Sequence, residues 1–224
     1  LDQAFAHLNE KIVACKRCPR LVSFRESVPF KTPMAQALGW RRPVPGFGDP
    51  DAKLLILGLA PSIEGGNRTG RIFTGDASAR FLIPVLYRAG FASQQTSEGL
   101  SDGLQLKGCY ITASVKCVPP KHRPTREEFI NCNSYFVTEL FLLKRLQVVL
   151  ALGQLAFDTY QAFLKEQGVL AKKGAFAHGQ ILTYPGWPTL CGSYHPSPQN
   201  TQTGKLTDTM LFSLLISLKE NFAI

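Results

Sequence analysis

Four of the six cysteines in this sequence are spaced as ligands would be. Cys15 and Cys18 form Cys-x-x-Cys followed by Pro19, and Cys117 and Cys132 are separated by fourteen residues across a Pro119-Pro120 turn. A site of four thiolates can hold zinc or a [4Fe–4S] cluster, and spacing alone does not choose between them. The plainer alternative is a redox pair with ordinary buried thiols beside it, but no thioredoxin-like strand precedes Cys15. A disulfide framework suits neither a chain read as intracellular nor a core this large. Cys109 and Cys191 lie in strand-like runs and read as core residues.

Chemistry could also sit in the segment from Gly58 to Asp76, GLAPSIEGGNRTGRIFTGD, which is too long and polar for a simple connection. Its five glycines in nineteen residues let the backbone approach a ligand closely. It matches neither G-x-G-x-x-G nor a phosphate-binding loop ending in Lys-Ser/Thr, which argues against dinucleotide and NTP binding. Ser62 is not framed as Gly-x-Ser-x-Gly, which argues against a serine hydrolase. Phe73 is either a flat face for a stacked ring or a loop anchor packed into the core. Asp76 precedes a helical run and suits an N-cap, and one carboxylate can both cap and catalyse. His195, within Ser193-Tyr194-His195-Pro196-Ser197, is either a site donor or a polar residue that fixes its own loop.

These residues need elements to position them. Lys53 to Leu59 (KLLILGL) reads as a buried parallel strand, as do Cys109 to Val115, Val148 to Leu152 and Thr189 to Ser193. Helical spacing runs over Ala77 to Ala89, from Thr125 to about Leu143, from Gln154 to Glu166 and from Leu206 to Asn221, and Thr125-x-x-Glu128 forms a capping box. Leu1 to Ala14 reads as an amphipathic helix without the apolar segment of an export signal. Strands alternating with helices predict a three-layer α/β/α sandwich whose sites gather where loops leave the carboxyl ends of the strands. The loops after Leu59, Val115 and Ser193 do so. Pro29 to Pro50 reads as an ordered excursion, so residues 1–224 are expected to form a single domain with the N-terminal cysteine segment attached.

Lysine and arginine outnumber aspartate and glutamate by 25 to 16, a formal charge of +9, so nucleic acid is the first partner to test. The apolar runs Phe136 to Leu152 and Leu206 to Leu218 are broken by Lys144, Arg145 and Asp208 and fall short of a membrane span. A soluble cytoplasmic monomer of prokaryotic type, with no membrane partner, is expected.

Gly58-Leu59-Ala60-Pro61 followed by Gly65-x-Asn67-Arg68-Thr69-Gly70-Arg71-x-Phe73-Thr74-Gly75-Asp76-Ala77-Ser78 resembles the first motif of the family 5 uracil-DNA glycosylases. Cys15 and Cys18, the segment Ile111 to Cys117, and Ser193 to Gly204 resemble the family's other signatures in the same order, so the likeness covers nearly the whole chain. The resemblance implies a central, mainly parallel four-stranded sheet with a base pocket at the strand ends. It implies a structural [4Fe–4S] cluster on Cys15, Cys18, Cys117 and Cys132. It also implies an enzyme that flips uracil or another damaged base out of DNA and hydrolyses its N-glycosidic bond, initiating base excision repair.

By the same resemblance Phe73 stacks on the flipped base, and Asp76 positions water or stabilises the oxocarbenium-like sugar. A neutral His195 donates to the base's carbonyl oxygen. Ala60 and Ser62 touch the base through backbone amides, and Asn67 and Arg68 order the loop or bind phosphate. Ser197, Gln199 and Asn200 bind DNA, with Ser197 to Gln199 entering the minor groove.

The chain departs from the family at Ser62-Ile63-Glu64-Gly65, where Gly-Ala-His-Gly is common. An anionic Glu64 beside a departing base anion is unfavourable unless it points away or is protonated. His122 stands where asparagine is usual and is expected to contact base or sugar in its place; the alternative is a Lys121-His122-Arg123 loop that binds phosphate. Ala113 stands where many family 4 enzymes carry asparagine. The competing functions are a catalytically weak lesion-recognition protein of the same fold and a redox iron–sulfur protein.

Overall fold

The computed structural model describes residues 2–224. Its strands are β1 (Phe47–Gly48), β2 (Leu54–Gly58), β3 (Cys109–Ala113), β4 (Val148–Leu152), β5 (Ile181–Tyr184) and β6 (Trp187–Ser193), in the sheet order β1-β3-β2-β4-β6-β5. The four inner strands pair in parallel, as the sequence predicts. Two antiparallel edges were not expected: β1 inside the Pro29 to Pro50 excursion, and β5 in a hairpin with β6.

The helices are α1 (Asp2–Val13), α2 (Pro19–Ser27), α3 (Pro33–Leu38), α4 (Gly66–Thr69), α5 (Ala77–Arg88), α6 (Arg126–Leu142), α7 (Gln154–Glu166), α8 (Pro198–Thr201) and α9 (Asp208–Asn221). α1 and the four later long helices lie where helical spacing places them. α9 begins at Asp208 rather than Leu206 because Thr207 caps it, accepting from the Met210 N–H at 3.2 Å.

Every residue of β2 and β4 is buried, because the sheet is covered on both faces. Period two splits each strand between two cores. Leu54, Ile56, Val148 and Leu150 pack with Leu82 and Leu86 of α5 and Leu211 and Leu215 of α9. Leu55, Leu57, Val149 and Ala151 pack instead with Phe136 of α6, Phe157 and Tyr160 of α7, and Phe5 of α1. Burying each leucine or isoleucine fully is worth about 1.5–3 kcal/mol, so this sheet is a stiff base for the loops above it.

The capping box of α6 forms, with Glu128 N–H donating to Thr125 Oγ1 at 3.3 Å and Thr125 N–H to Glu128 Oε2 at 2.7 Å. Arg20 of α2 grips the same carboxylate through Nε at 2.7 Å and Nη2 at 2.6 Å. Burial alone would raise the Glu128 carboxyl, but Arg20 and Thr125 outweigh it and hold it below its ordinary value. One side chain thus caps α6 and fastens the cysteine-bearing segment to it. Among the described residues no helix is long and apolar enough to cross a membrane.

Candidate active site and cysteine centre

The loops that leave β2, β3 and β6 meet the start of α5 around a cavity of about 560 Å³. Leu59 to Glu64 line it from β2, Pro119 and His122 from the segment after β3, His195 and Ser197 to Gln199 from the segment after β6, and Asp76 to Ser78 from the start of α5. The position is the one expected for a sheet of this topology.

Asp76 is the N-cap of α5, and its Oδ1 accepts the Ala79 N–H at 2.8 Å. Its Oδ2 accepts a short hydrogen bond from the Ser62 hydroxyl. That hydroxyl in turn accepts the Gly65 N–H at 2.9 Å. A side chain at position 65 would collide with both Asp76 and Ser62, so glycine there is what lets the loop close on the carboxylate.

Burial pushes the His195 imidazole down to about 4; Asp76 opposes the shift and His122 adds to it. The ring is therefore neutral at physiological pH and carries one N–H donor. The carbonyl of His195 accepts the Asn200 side-chain amide at 2.8 Å, which fixes the loop. Phe73 lies beside His195, ring centroids 5.9 Å apart at 34°, and is only 6% exposed, packed in the core next to Gly58.

Of the residues singled out from the sequence, Ala60, Ser62, Asp76, His122, His195, Ser197 and Gln199 line the cavity, whereas Asn67, Arg68, Phe73 and Asn200 do not. Arg68 orders the loop, donating to the Glu64 carbonyl at 2.8 Å and the Gly75 carbonyl at 3.1 Å. Asn67 is 1% exposed and donates through Nδ2 to the Arg25 carbonyl at 3.1 Å. Glu64 does reach the cavity, but its Oε1 accepts the Lys31 N–H at 2.9 Å and its Oε2 lies 3.7 Å from Arg68 Nε. Its charge is thus partly spent on Lys31, from the Pro29 to Pro50 excursion, and on Arg68 of its own loop.

Sequence reasoning missed the support behind this loop. Arg71 donates to Thr74 Oγ1 at 3.0 Å, Ser97 Oγ at 2.9 Å and Asp102 Oδ2 at 2.5 Å. Burial alone would raise the Asp102 carboxyl, but Arg71 and the N–H groups of Leu104, Glu98 and Gly99 hold it at about 2. The Gly75 N–H reaches the Ser97 carbonyl at 2.7 Å, so the segment around Ser97 braces the residue before Asp76. The motif contains Arg71, but nothing local points to partners so far along the chain.

All six cysteines are free thiols. Cys109 and Cys191 are fully buried in β3 and β6, as expected. Cys15, Cys18, Cys117 and Cys132 line one narrow cavity with Arg25, Lys116 and Tyr135. Arg25 Nη1 donates to Cys117 Sγ at 3.2 Å, and Asn131 Nδ2 to Cys18 Sγ at 3.5 Å. Arg25 is 2% exposed, and its buried Nε has no partner among the described residues. Burial pushes the Cys117 thiol up to about 12 and the Cys132 thiol to about 11.

Beside these cysteines, Lys116 Nζ lies 2.7 Å from Glu139 Oε2 and donates to Thr112 Oγ1 at 2.6 Å, all fully buried. Among the described residues no three His, Cys, Asp or Glu side chains stand close enough to hold a single metal ion. Four soft thiols around a cavity, with a cation aimed at them, fit an anionic metal–thiolate group with a wider grip.

A family model described as the uracil DNA glycosylase superfamily matches residues 45–219. A type-5 uracil-DNA glycosylase of Thermus thermophilus is 46% identical over 211 residues, 94% of either chain. One of Pyrobaculum aerophilum is 45% identical over 205 residues, 92% of this chain and 88% of its own. One of Mycobacterium leprae is 41% identical over 217 residues, 95% of this chain and 93% of its own. With a family match across most of its length and relatives this similar from end to end, the chain belongs to the uracil DNA glycosylase superfamily, on its type-5 branch.

Proposed function

We propose that this protein excises uracil, and other deaminated or modified bases, from DNA by hydrolysing the N-glycosidic bond, the first step of base excision repair. The observation that carries the reading is the pairing, in one cavity, of a carboxylate fixed at a helix start with an imidazole held neutral by burial. A nucleotide flipped from the duplex is presented to that cavity. As the bond breaks, its electron pair leaves with the base and positive charge develops on the sugar. The neutral His195 donates a hydrogen bond to the base oxygen where negative charge gathers, and Asp76 stabilises the sugar. Water bonds to C1′, and its proton passes to Asp76 or to solvent; each Asp76 oxygen keeps a lone pair beyond its protein hydrogen bond.

Phe73 braces the His195 ring. Ser197 and Gln199, at the start of α8, reach the minor groove, while exposed Lys121, Arg123 and Arg126 meet phosphates. Cys15, Cys18, Cys117 and Cys132 hold a [4Fe–4S] cluster, which when bound cross-links the α1–α2 turn, the loop after β3 and α6. The chain works as a single-domain monomer in the cytoplasm.

The test is single-turnover excision from duplexes and single strands that carry uracil, hypoxanthine, xanthine or hydroxymethyluracil. Abasic sites made by the parent and lost in Asp76→Ala and His195→Ala are expected. Selective binding to lesion DNA without release of any base would replace this reading with a catalytically silent lesion binder.

A further inference from the structure

We propose that a buried hydrogen-bonded strut links the cysteine centre to the catalytic carboxylate, with Arg25 and Asn67 as its positioning residues. The inference rests on the glycosylase reading and on a metal–thiolate group at the four cysteines. At one end, Arg25 Nη1 donates to Cys117 Sγ and to the Cys15 carbonyl, each at 3.2 Å. At the other end of the same residue, the Arg25 carbonyl accepts Asn67 Nδ2 at 3.1 Å and Arg41 Nη1 at 3.4 Å. The Asn67 N–H then donates to the Ser62 carbonyl at 3.0 Å, and the Asn67 carbonyl accepts the Arg41 N–H at 2.9 Å. Ser62 closes the path through its hydroxyl on Asp76 Oδ2.

Two buried atoms on the strut residues have no partner among the described residues. Asn67 Oδ1 is buried with no partner among the described residues, so the side chain is placed by its bond to Arg25 and not by a network of its own. Arg25 Nε is likewise buried and open. Glu26, an exposed side chain whose Oε1 lies 3.4 Å from Arg25 Nη2, balances one side of the buried guanidinium, which leaves the side facing Cys117 to a further partner. A metal group bound at the cysteines would fix Cys117 Sγ, and with it the Nη1 side of the guanidinium. Losing the group therefore loosens Arg25 first, then the carbonyl that seats Asn67, and then the turn that sets the Ser62 hydroxyl on Asp76. Ser62 is a positioning residue for this reaction in a place where the resembling family commonly has glycine.

The experiment is a two-by-two cycle: parent and Asn67→Ala, each iron-replete and stripped by oxidation and chelation. Three quantities are read: visible absorbance of the metal–thiolate group, amide hydrogen exchange over residues 58–80, and single-turnover excision of uracil. Stripping the parent is expected to speed exchange over residues 62–69 and to slow excision about tenfold, a coupling of ordinary size. Asn67→Ala is expected to do both while keeping the parent's absorbance, and stripping it should then add little. Effects that multiply, or exchange over 62–69 that stripping leaves unchanged, would overturn the strut. If no form excises any base, the glycosylase reading fails, and the exchange cycle still decides the strut. Should stripping unfold the chain, Asn67→Ala and Arg25→Lys are compared iron-replete; unchanged exchange over 62–69 in both would overturn it as well.

Discussion

The cavity at Asp76 and the centre at the four cysteines meet at the loop after β3, yet they treat their polar atoms differently. Around Asp76, protein groups fill the demand: each carboxylate oxygen has a donor, Ser62 both donates and accepts, and Glu64 is held by Lys31 and Arg68. Around the cysteines the protein leaves demand unmet, with an open Arg25 Nε and thiols that burial pushes far above their ordinary range. On the proposed function, the first is a preorganised surface for the reacting sugar and base. On the proposed cluster, the second is completed by a metal group that takes the thiols' protons away.

The largest expected effect therefore belongs to the cysteine centre and falls on stability. Cys117→Ser should abolish the visible absorbance of the bound metal and lower stability by on the order of 4 kcal/mol, about 8–16 °C in Tm for a chain of this size. Calorimetry and iron analysis check this. A variant that melts with the parent would show that the centre completes itself without a ligand.

At the cavity the expected loss is in rate. Asp76→Asn should slow single-turnover excision by about 10²–10³ while leaving Tm nearly unchanged, because asparagine caps a helix as well as aspartate does. Asp76→Ala should lose the rate and also about 1 kcal/mol of stability with the cap. Equal melting of the two variants would mean that the cap bond to Ala79 is not stabilising, and a fast Asp76→Asn enzyme would remove the carboxylate from the chemistry.

The two regions were also unequally legible. The inner strands could be read because burial on both faces leaves nearly continuous apolar runs, and the four cysteines because ligand spacing survives in sequence. β1 and β5 could not, since an edge strand needs little apolar surface: β1 has two half-buried residues, and β5 alternates exposed with half-buried. α2 opens at a proline and buries only Leu21 and Arg25, too few for a helical stripe. The ion pairs of Arg71 with Asp102 and Lys116 with Glu139 join distant stretches of chain and have no local signature. Phe73 was ambiguous because an aromatic ring serves a core and a stacking site equally well; its burial beside His195 comes from tertiary packing alone.

A smaller effect separates the regions by pH. Burial holds His195 at about 4 and also lowers His178, whereas an unfolded imidazole titrates near 6.5. Between those values the unfolded chain binds more protons, so stability is full above about pH 6.5 and is lost as pH falls toward 4. Melting curves from pH 7.5 down to 4.5 should show His195→Gln losing less than the parent. Parallel slopes would mean that His195 is not buried neutral. Excision between pH 6 and 8 should show no limb that His195→Gln removes.

The smallest effect is expected at His122, and it asks how far the preorganised region extends toward its rim. Lys121 and His122 both adopt left-handed backbone, φ +52° and +56°, and both are exposed, with His122 on the cavity edge. Histidine and asparagine tolerate that conformation better than most residues, so His122→Asn keeps the turn. If the imidazole touches base or sugar, the two substitutions His122→Asn and His122→Ala should alter relative rates among uracil, hypoxanthine and xanthine by about two- to fivefold, equivalent to roughly 0.4–1 kcal/mol. Alanine should be the worse of the two, because it loses the side chain and is less at home in the left-handed turn. Single-turnover rates that both variants leave unchanged on every accepted base would end the preorganised surface at Pro119 and make the Lys121-His122-Arg123 turn a phosphate contact, which a flatter salt dependence of DNA binding in Lys121→Ala and Arg123→Ala would then register.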